Sequence, residues 1–334
     1  MTPRKRLSLI GLTLFLLLLA GWGIYFLGFL HEPVTPPPAT SLTISRGSSL
    51  WQVSRQLEQL GVITDAWHFR LLGRLRGQAA LIRSGDYEFA DAATPGRVLD
   101  RLVAGDVRKR LLTIPEGFDL QQIAARADQL LGIGGELLRL SQDRHFIEQL
   151  GIKAASLEGY LYPETYSVTS DTSAEQLMRM MVGQLEQHLT KEMLATAQQH
   201  GLSRHQLVTL ASIIQKEAGN EAEMPLISAV FHNRLDKRIP LQADPTVIYG
   251  LESFDGNLTR AHLKALTPYN TYRVYGLPPG PIASPGLTAL QAAAHPADSK
   301  ALYFVARGDG THVFSNTLQE HNQAVRRYQL KRKN

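Results

Sequence analysis

The sequence predicts an α+β protein with an N-terminal membrane-spanning helix, a small α+β subdomain and a larger mixed α/β domain. Three observations predict it: an uncharged run near the N-terminus, a strand–helix pattern that occurs twice before residue 106, and a longer second region whose helical stretches give way to a strand-rich end. The length of 334 residues suits about two domains of ordinary size. With 44% hydrophobic and 19% charged residues the chain has apolar material for a sizeable core.

Leu9 to Leu30 are 22 consecutive positions without a charge, enough to cross a hydrocarbon core of about 30 Å as a helix. Arg4, Lys5 and Arg6 precede the run, whereas His31, Glu32 and the proline-rich "PVTPPPAT" follow it. The positive-inside rule then puts the N-terminus in the cytoplasm and everything after residue 31 outside. A cleaved signal peptide is the rival reading; its apolar core would be shorter, about 7–15 residues, and no small-x-small site closes this segment. Residues 31–41 read as a short, semi-rigid tether that cannot pack as helix or sheet.

From "SLTIS" the pattern is a strand, followed by a capping box of Ser49 and Gln52 and a helix with Leu50, Val53, Leu57 and Leu60 on one face up to Gly61. "GDYEFADAATPGRVLDRLVAG" repeats the grammar: strand Asp86–Phe89, Thr94 as cap, Pro95 at the first helical position, Val98, Leu99 and Leu102 as the stripe, and Gly105 as stop. Beyond it, helices are expected around 119–131, 134–140 and 173–200, and strands in "TVIYG", "YRVYG", "LYFVA" and "HVFS". The chain thus divides into a cytoplasmic N-terminus 1–7, a span 8–30, a tether 31–41, a subdomain 42–106, a larger domain 107–330 and a basic tail 331–334.

Charge and composition exclude several classes. The formal net charge is +5, but Arg4, Lys5, Arg6, Arg326, Arg327, Lys331, Arg332 and Lys333 are eight positives at the two ends, and removing them leaves −3. The body therefore carries no implied basic face, and no nucleic acid is expected as partner. Absence of cysteine rules out disulfides, thiol nucleophiles and thiolate metal sites. His295, His312 and His321 occur without H-E-x-x-H or comparable spacing, and no Walker or G-x-S-x-G motif is present. No metal and no cofactor is expected.

The chemistry concentrates in "LASIIQKEAGN". A capping box of Ser203 and Gln206 starts a helix whose Leu207, Leu210, Ala211, Ile214 and Ala218 share a face, and Gly219 is the expected C′ stop. Glu217 lies seven residues after Leu210, hence about 20° from it in projection. It falls on the buried face at the negative end of the helix dipole, and both settings raise a carboxyl pKa. A Glu kept protonated near neutrality is a general acid. The competing reading is an ion pair with Lys216 or Arg234 at a frayed helix end. Further on, Asn233 continues an apolar helix face, and Gln242, Asp244 and Thr246 alternate as in an extended segment that could line one wall. "TPYNTYRVYGLPPGPIASPG" adds Tyr faces, amides and rigid Pro/Gly loops, which suit a sugar.

"SIIQKEAG", "VFHNRL", "LQADPTVIYG", "YNTYRVYGLPPGPI", "AAAHPA", "YFVARGDGTHVFS" and "EGYLYPETY" together resemble the signature blocks of the MltG/YceG-like endolytic murein transglycosylases, in order and across essentially the whole chain. The resemblance implies that 42–106 is a LysM-like subdomain and that the catalytic glutamate is Glu217. It further implies that Glu158, Asn233, Gln242, Asp244, Thr246, Tyr269, Asn270 and Tyr272 lie in or beside a glycan cleft. Peptidoglycan glycan strands are then the substrate, and peptidoglycan synthases the expected neighbours at the membrane. One departure is Gln215, where members often carry Glu, which leaves Glu217 in place and puts a chemical role for position 215 in doubt. Two other readings stay open: a hydrolytic muramidase pairing Glu217 with Asp244, and a non-catalytic, membrane-anchored peptidoglycan-binding scaffold.

Overall fold

Uncharged, helix-forming residues dominate the N-terminal run, and it forms one helix, α1 (Pro3–His31), whose Ile10–His31 stretch is long and apolar enough to cross a membrane. The computed structural model describes residues 3–330, with side chains from 10 to 329. The tail 331–334 and the first two residues lie outside the described residues. The elements that follow are β1 (Thr40–Ile44), α2 (Leu50–Gln59), α3 (Ala66–Leu75), β2 (Gly85–Phe89), α4 (Pro95–Ala104), β3 (Arg110–Thr113), α5 (Leu120–Leu131), α6 (Gly134–Ser141), α7 (Arg144–Gln149), β4 (Thr165–Val168), α8 (Ala174–His188), α9 (Lys191–Gln199), α10 (Arg204–Glu217), α11 (Met224–Asp236), α12 (Asp244–Tyr249), α13 (Arg260–Lys264), α14 (Leu287–Ala294), β5 (Tyr303–Ala306), β6 (His312–Ser315) and α15 (Leu318–Val325). They form two units, Met1–Arg110 with Ser167–Asp171, and Leu111–Tyr166 with Thr172–Asn334.

In the first unit β1 and β2 pair antiparallel, Thr40 opposite Phe89 and Ile44 opposite Gly85. The period of two sends Leu42, Ile44, Tyr87 and Phe89 to one face. Val53 and Leu57 of α2, Phe69 and Leu72 of α3, and Val98, Leu99 and Leu102 of α4 close over that face. The expected caps are present: Ser49 and Gln52 form a reciprocal box, Thr94 accepts from the Arg97 N–H, and Gly105 ends α4 in the left-handed conformation at φ 71°. Helix α3 was not anticipated; Asp65 caps it through the His68 N–H at 2.8 Å.

The Pro-rich segment differs from the expected tether. Val34 forms an antiparallel bridge with Ala93, with N–H to carbonyl distances of 3.0 and 3.1 Å, and the Thr40 hydroxyl donates to the Pro37 carbonyl at 2.7 Å. Prolines cannot donate in a ladder, but Val34 between them can, and one bridge suffices to strap the segment down. The last turns of α1 also belong to this core: Phe29 is 5% exposed, with Phe26 and Leu30 packed beside it.

In the second unit α10 is the central element, because Leu207 to Ile214 are all buried. A helix apolar on every side needs neighbours on every side. The small residues Ala289, Ala292, Ala293 and Ala294 of α14 allow close approach, and α9 and α11 supply further walls. The stretch expected as one helix over 173–200 is two, because Leu189 leaves helical geometry and Thr190 caps α9 through the Met193 N–H. "LYFVA" and "HVFS" form the hairpin β5–β6, Tyr303 opposite Ser315. "TVIYG" does not form a strand: it lies in α12, with Pro245 in the first turn. Its β-branched residues serve the interior instead, Thr246 bonding the Ala243 carbonyl at 2.7 Å and the Thr271 hydroxyl at 2.8 Å. "YRVYG" is turn and bend, not strand.

Candidate active site

Glu217 is the last residue of α10, begun by the predicted Ser203 and Gln206 box. Its side chain is half-buried. Burial pushes its carboxyl up to about 8, the nearby Asp244 charge pushes the same way, and Arg234 opposes. The helix C-terminus adds to the upward push. The ion pair weighed from the sequence is not formed. Lys216 donates to the Gly117 carbonyl at 3.2 Å, and the buried Arg234 guanidinium is spent on the carbonyls of Leu302 (2.7 Å), Leu241 (2.8 Å) and Pro240 (3.2 Å). Among the described residues no hydrogen bond or ion pair holds the Glu217 carboxyl.

Gly219 is not the left-handed stop expected after α10. The helix closes through the Ala218 N–H on the Ile214 carbonyl, with Ala218 extended. Gly219 instead admits the β5–β6 turn, since a Cβ there would meet the Gly310 carbonyl oxygen at 2.6 Å. Asn220 donates to that same oxygen at 2.9 Å and caps the turn before α11.

Asp244, whose charge reaches Glu217, lies at the end of the segment 242–244. Gln242 is exposed and has φ 52°, a left-handed conformation unusual for a residue with a Cβ. Its N–H is held by the Thr271 carbonyl at 3.1 Å, and such strain persists only where neighbours impose it. Asp244 is exposed at the start of α12, and its Oδ1 accepts from the Tyr272 hydroxyl at 2.6 Å. Burial and this carboxylate both raise the Tyr272 pKa, so the phenol stays a donor.

The other expected site residues fall into two groups. Glu158 is 3% exposed and accepts from the Leu120 N–H (3.2 Å), the Gly159 N–H (3.2 Å) and the Tyr249 hydroxyl (3.1 Å). Burial raises its pKa to about 7 against the pull of those donors. Tyr269 packs on Tyr249 with ring centres 4.8 Å apart. Asn233, Thr246 and Asn270 hold backbone. The Asn233 amide donates to the Ser299 (2.8 Å) and Ala301 (2.9 Å) carbonyls. Asn270, fully buried, donates to the Ala265 carbonyl at 2.7 Å and accepts from the Tyr272 N–H at 3.0 Å. The structure therefore gathers Glu217, Gln242, Asp244 and Tyr272 as groups with accessible surface. Thr246 and Asn270 serve as their buried supports.

Sequence reasoning missed the residues that tie α10 to the Pro/Gly loop. The Ser212 hydroxyl accepts from the Ile282 N–H at 3.0 Å, and Gln215 Oε1 accepts from the Gly286 N–H at 2.9 Å. Residue 215 thus needs an acceptor, and an amide supplies one without a second charge near Glu217. The i, i+3 spacing of Ser212 and Gln215 was visible, but their partners some 70 positions away were not. No group of three or more metal-capable side chains gathers among the described residues. A cavity of about 730 Å³ lined by Arg144, Lys153, His205 and Pro279 lies near the other end of α10. His205 and Glu217 are twelve positions apart on the helix, roughly 18 Å along its axis, so this cavity is separate from the surroundings of Glu217.

A family model described as the YceG-like family matches residues 42–327. The endolytic murein transglycosylase of Bacillus subtilis is 34% identical over 319 residues, covering 90% of this chain and 88% of that protein. The endolytic murein transglycosylase of Streptococcus pneumoniae serotype 2 is 29% identical over 354 residues, covering 95% of this chain and 64% of that longer protein. The crystal structure of a yceG-like protein from Listeria monocytogenes superposes with a TM-score of 0.60 at 34% identity, covering 85% of this chain and 98% of that one.

Proposed function

The chain belongs to the YceG-like family, and from that premise we propose that it is a membrane-anchored lytic transglycosylase cutting the MurNAc–GlcNAc β-1,4 bond inside nascent peptidoglycan strands. The observation that carries the proposal is Glu217: a carboxyl raised to about 8 with no bonded partner among the described residues, at the end of the buried helix α10. Such a group is protonated at neutral pH and available to a substrate.

Glycoside hydrolysis needs two carboxylates, one as acid and one as nucleophile or base. Here Glu217 alone suffices. Its proton goes to the glycosidic oxygen as the C1–O bond breaks, leaving GlcNAc with a free 4-hydroxyl. The Glu217 carboxylate then takes the proton of the same MurNAc's 6-hydroxyl as O6 bonds to C1, which regenerates the acid and leaves a 1,6-anhydroMurNAc end. A nucleophile already tethered to the substrate can be worth effective molarities of about 10⁵ M or more, so activated water is unnecessary. Gln242 and the Asp244–Tyr272 pair would bind sugar hydroxyls or the N-acetyl group, and Tyr269 and Tyr272 would offer ring faces. Glu158, Asn233, Thr246 and Asn270 would hold the walls.

In this reading α1 anchors a single-pass protein in the inner membrane, the N-terminus is cytoplasmic, and the body acts in the periplasm beside the synthases. The order β1-α2-α3-β2 supports a LysM-like subdomain over 42–106, ahead of the catalytic domain over 107–330. A hydrolytic muramidase is the second reading, favoured by the reach of the Asp244 charge to Glu217. Mass spectrometry of products from the full-length chain in proteoliposomes with uncross-linked peptidoglycan separates the two. Internal fragments ending in 1,6-anhydroMurNAc, absent with Glu217→Gln, are expected. Reducing ends would assign a hydrolase with Asp244 as its second carboxylate, and binding without cleavage would leave a scaffold.

A further inference from the structure

Helix α3 carries a largely exposed face with two different edges. Trp67, Leu71 and Leu75 follow at i, i+4 and i+8, with Trp67 51% and Leu75 69% exposed and Leu71 half-buried. At 100° per residue Arg74 projects within about 20° of Trp67 and Arg70 about 60° from it, on the side away from Leu71. Among the described residues neither Arg70 nor Arg74 has an ion-pair partner, whereas Arg76 at the helix end bonds Asp100 at 3.1 Å. An open cavity of about 430 Å³ lies along the basic edge, lined by Trp51, Arg70, Arg74 and Ile82. An apolar ridge bordered by arginines is the pattern of a helix lying in a membrane interface.

Depth comes from α1. Trp22 meets Trp67 edge-on with ring centres 6.1 Å apart. Tyr25, Phe26 and Phe29 enclose the neighbouring His68 at 5.2, 5.7 and 5.5 Å. A hydrocarbon core of about 30 Å takes about 20 residues, so a span entered after Arg6 leaves the core near Phe26. Trp22 and Tyr25 then lie at the outer boundary, where amphipathic rings concentrate, and Trp67 lies at their level.

We propose that α3 is a second membrane contact: Trp67, Leu71 and Leu75 enter the outer leaflet beside the span, and Arg70 and Arg74 bind the phosphates of anionic phospholipids. The proposal rests on the anchoring reading of α1. It makes the first unit a body seated on the lipid surface. The strap at Val34 and the Phe29 contact, which remove slack between span and body, fit that placement.

The cysteine-free chain allows a direct test. Single variants Leu19→Cys in the span, Leu71→Cys and Leu75→Cys on the ridge, and exposed Gln121→Cys as the aqueous reference are spin-labelled in the full-length chain. They are reconstituted in phosphatidylglycerol/phosphatidylethanolamine vesicles, and collision with oxygen and with a water-soluble nickel chelate is compared. The ridge labels are expected between the Leu19 and Gln121 labels in depth, and to move toward water in phosphatidylcholine alone or with Arg70→Glu/Arg74→Glu. Ridge labels as wet as Gln121 beside a lipid-immersed Leu19 label would overturn the proposal and leave the anchor standing. A ridge depth indifferent to lipid charge would overturn the phosphate contact. A water-exposed Leu19 label would overturn anchor and proposal together.

Discussion

Glu217 carries two predictions that share one cause. Glu217→Gln cannot donate a proton and should abolish turnover, while wild-type activity should fall as pH rises through about 8; a pH–rate profile on defined glycan checks both. Because the folded-state pKa lies above the ordinary 4.5, the native chain binds a proton there that the unfolded chain releases. The associated stability is complete below pH 4.5 and is lost progressively as pH rises to about 8. Each pH unit in that window is worth at most about 1.4 kcal/mol, reduced here by partial exposure. Glu217→Gln should therefore gain on wild type with rising pH in urea unfolding, and a constant difference would argue against the raised pKa. Glu158 differs in kind: it satisfies the Leu120 and Gly159 N–H groups and the Tyr249 hydroxyl inside the protein. Glu158→Ala strands these donors and should cost about 2–4 kcal/mol, read as a lower urea midpoint.

At the level of elements, α10 is an axle whose far end must stay in register with two loops. Gly219→Ala pushes a methyl into the Gly310 carbonyl, and the backbone there cannot swing away like a flexible side chain. A loss of about 1–3 kcal/mol is expected, together with a fall in kcat, since the displaced segment begins two residues from Glu217. Gln215→Ala releases the Gly286 N–H without touching Glu217. It should raise KM for glycan more than it lowers kcat, whereas an equal loss in both would give Gln215 a part in the transition state.

Across the first unit, the last turns of α1 share a core with the β1–β2 pair and helices α2 to α4. A chain starting at Ser41 loses Phe26, Phe29 and Leu30, of which Phe29 is 5% exposed, and also the Val34 bridge. Removing one buried Phe side chain costs about 3–5 kcal/mol. The first unit of that shortened chain should therefore unfold at lower urea than in a chain starting at Trp22, in detergent, while the second unit is unchanged. Equal midpoints would mean that the α1 contacts contribute nothing to the fold.

Local chemistry was legible from the sequence. The apolar span, the Ser49, Thr94 and Ser203 caps, the left-handed Gly105 and the Glu217 position at the end of a buried helix depend on residues within a turn or two of one another. Periodicity and capping act over that range. Tertiary structure decided what such patterns do not carry. Arg234 is withheld from Glu217 by carbonyls up to 68 positions away, and Gly219 is required by an oxygen in the β5–β6 turn. "TVIYG" is helical despite its strand-forming residues, because Pro245 sets its first turn and Thr246 is held by Thr271. The Pro-rich stretch is strapped to Ala93, not free. The sequence by itself determined which acid stands where a helix dipole and burial raise its pKa; only long-range contacts decided that, among the described residues, no side chain bonds this carboxyl, because its basic candidates are drawn to backbone carbonyls elsewhere.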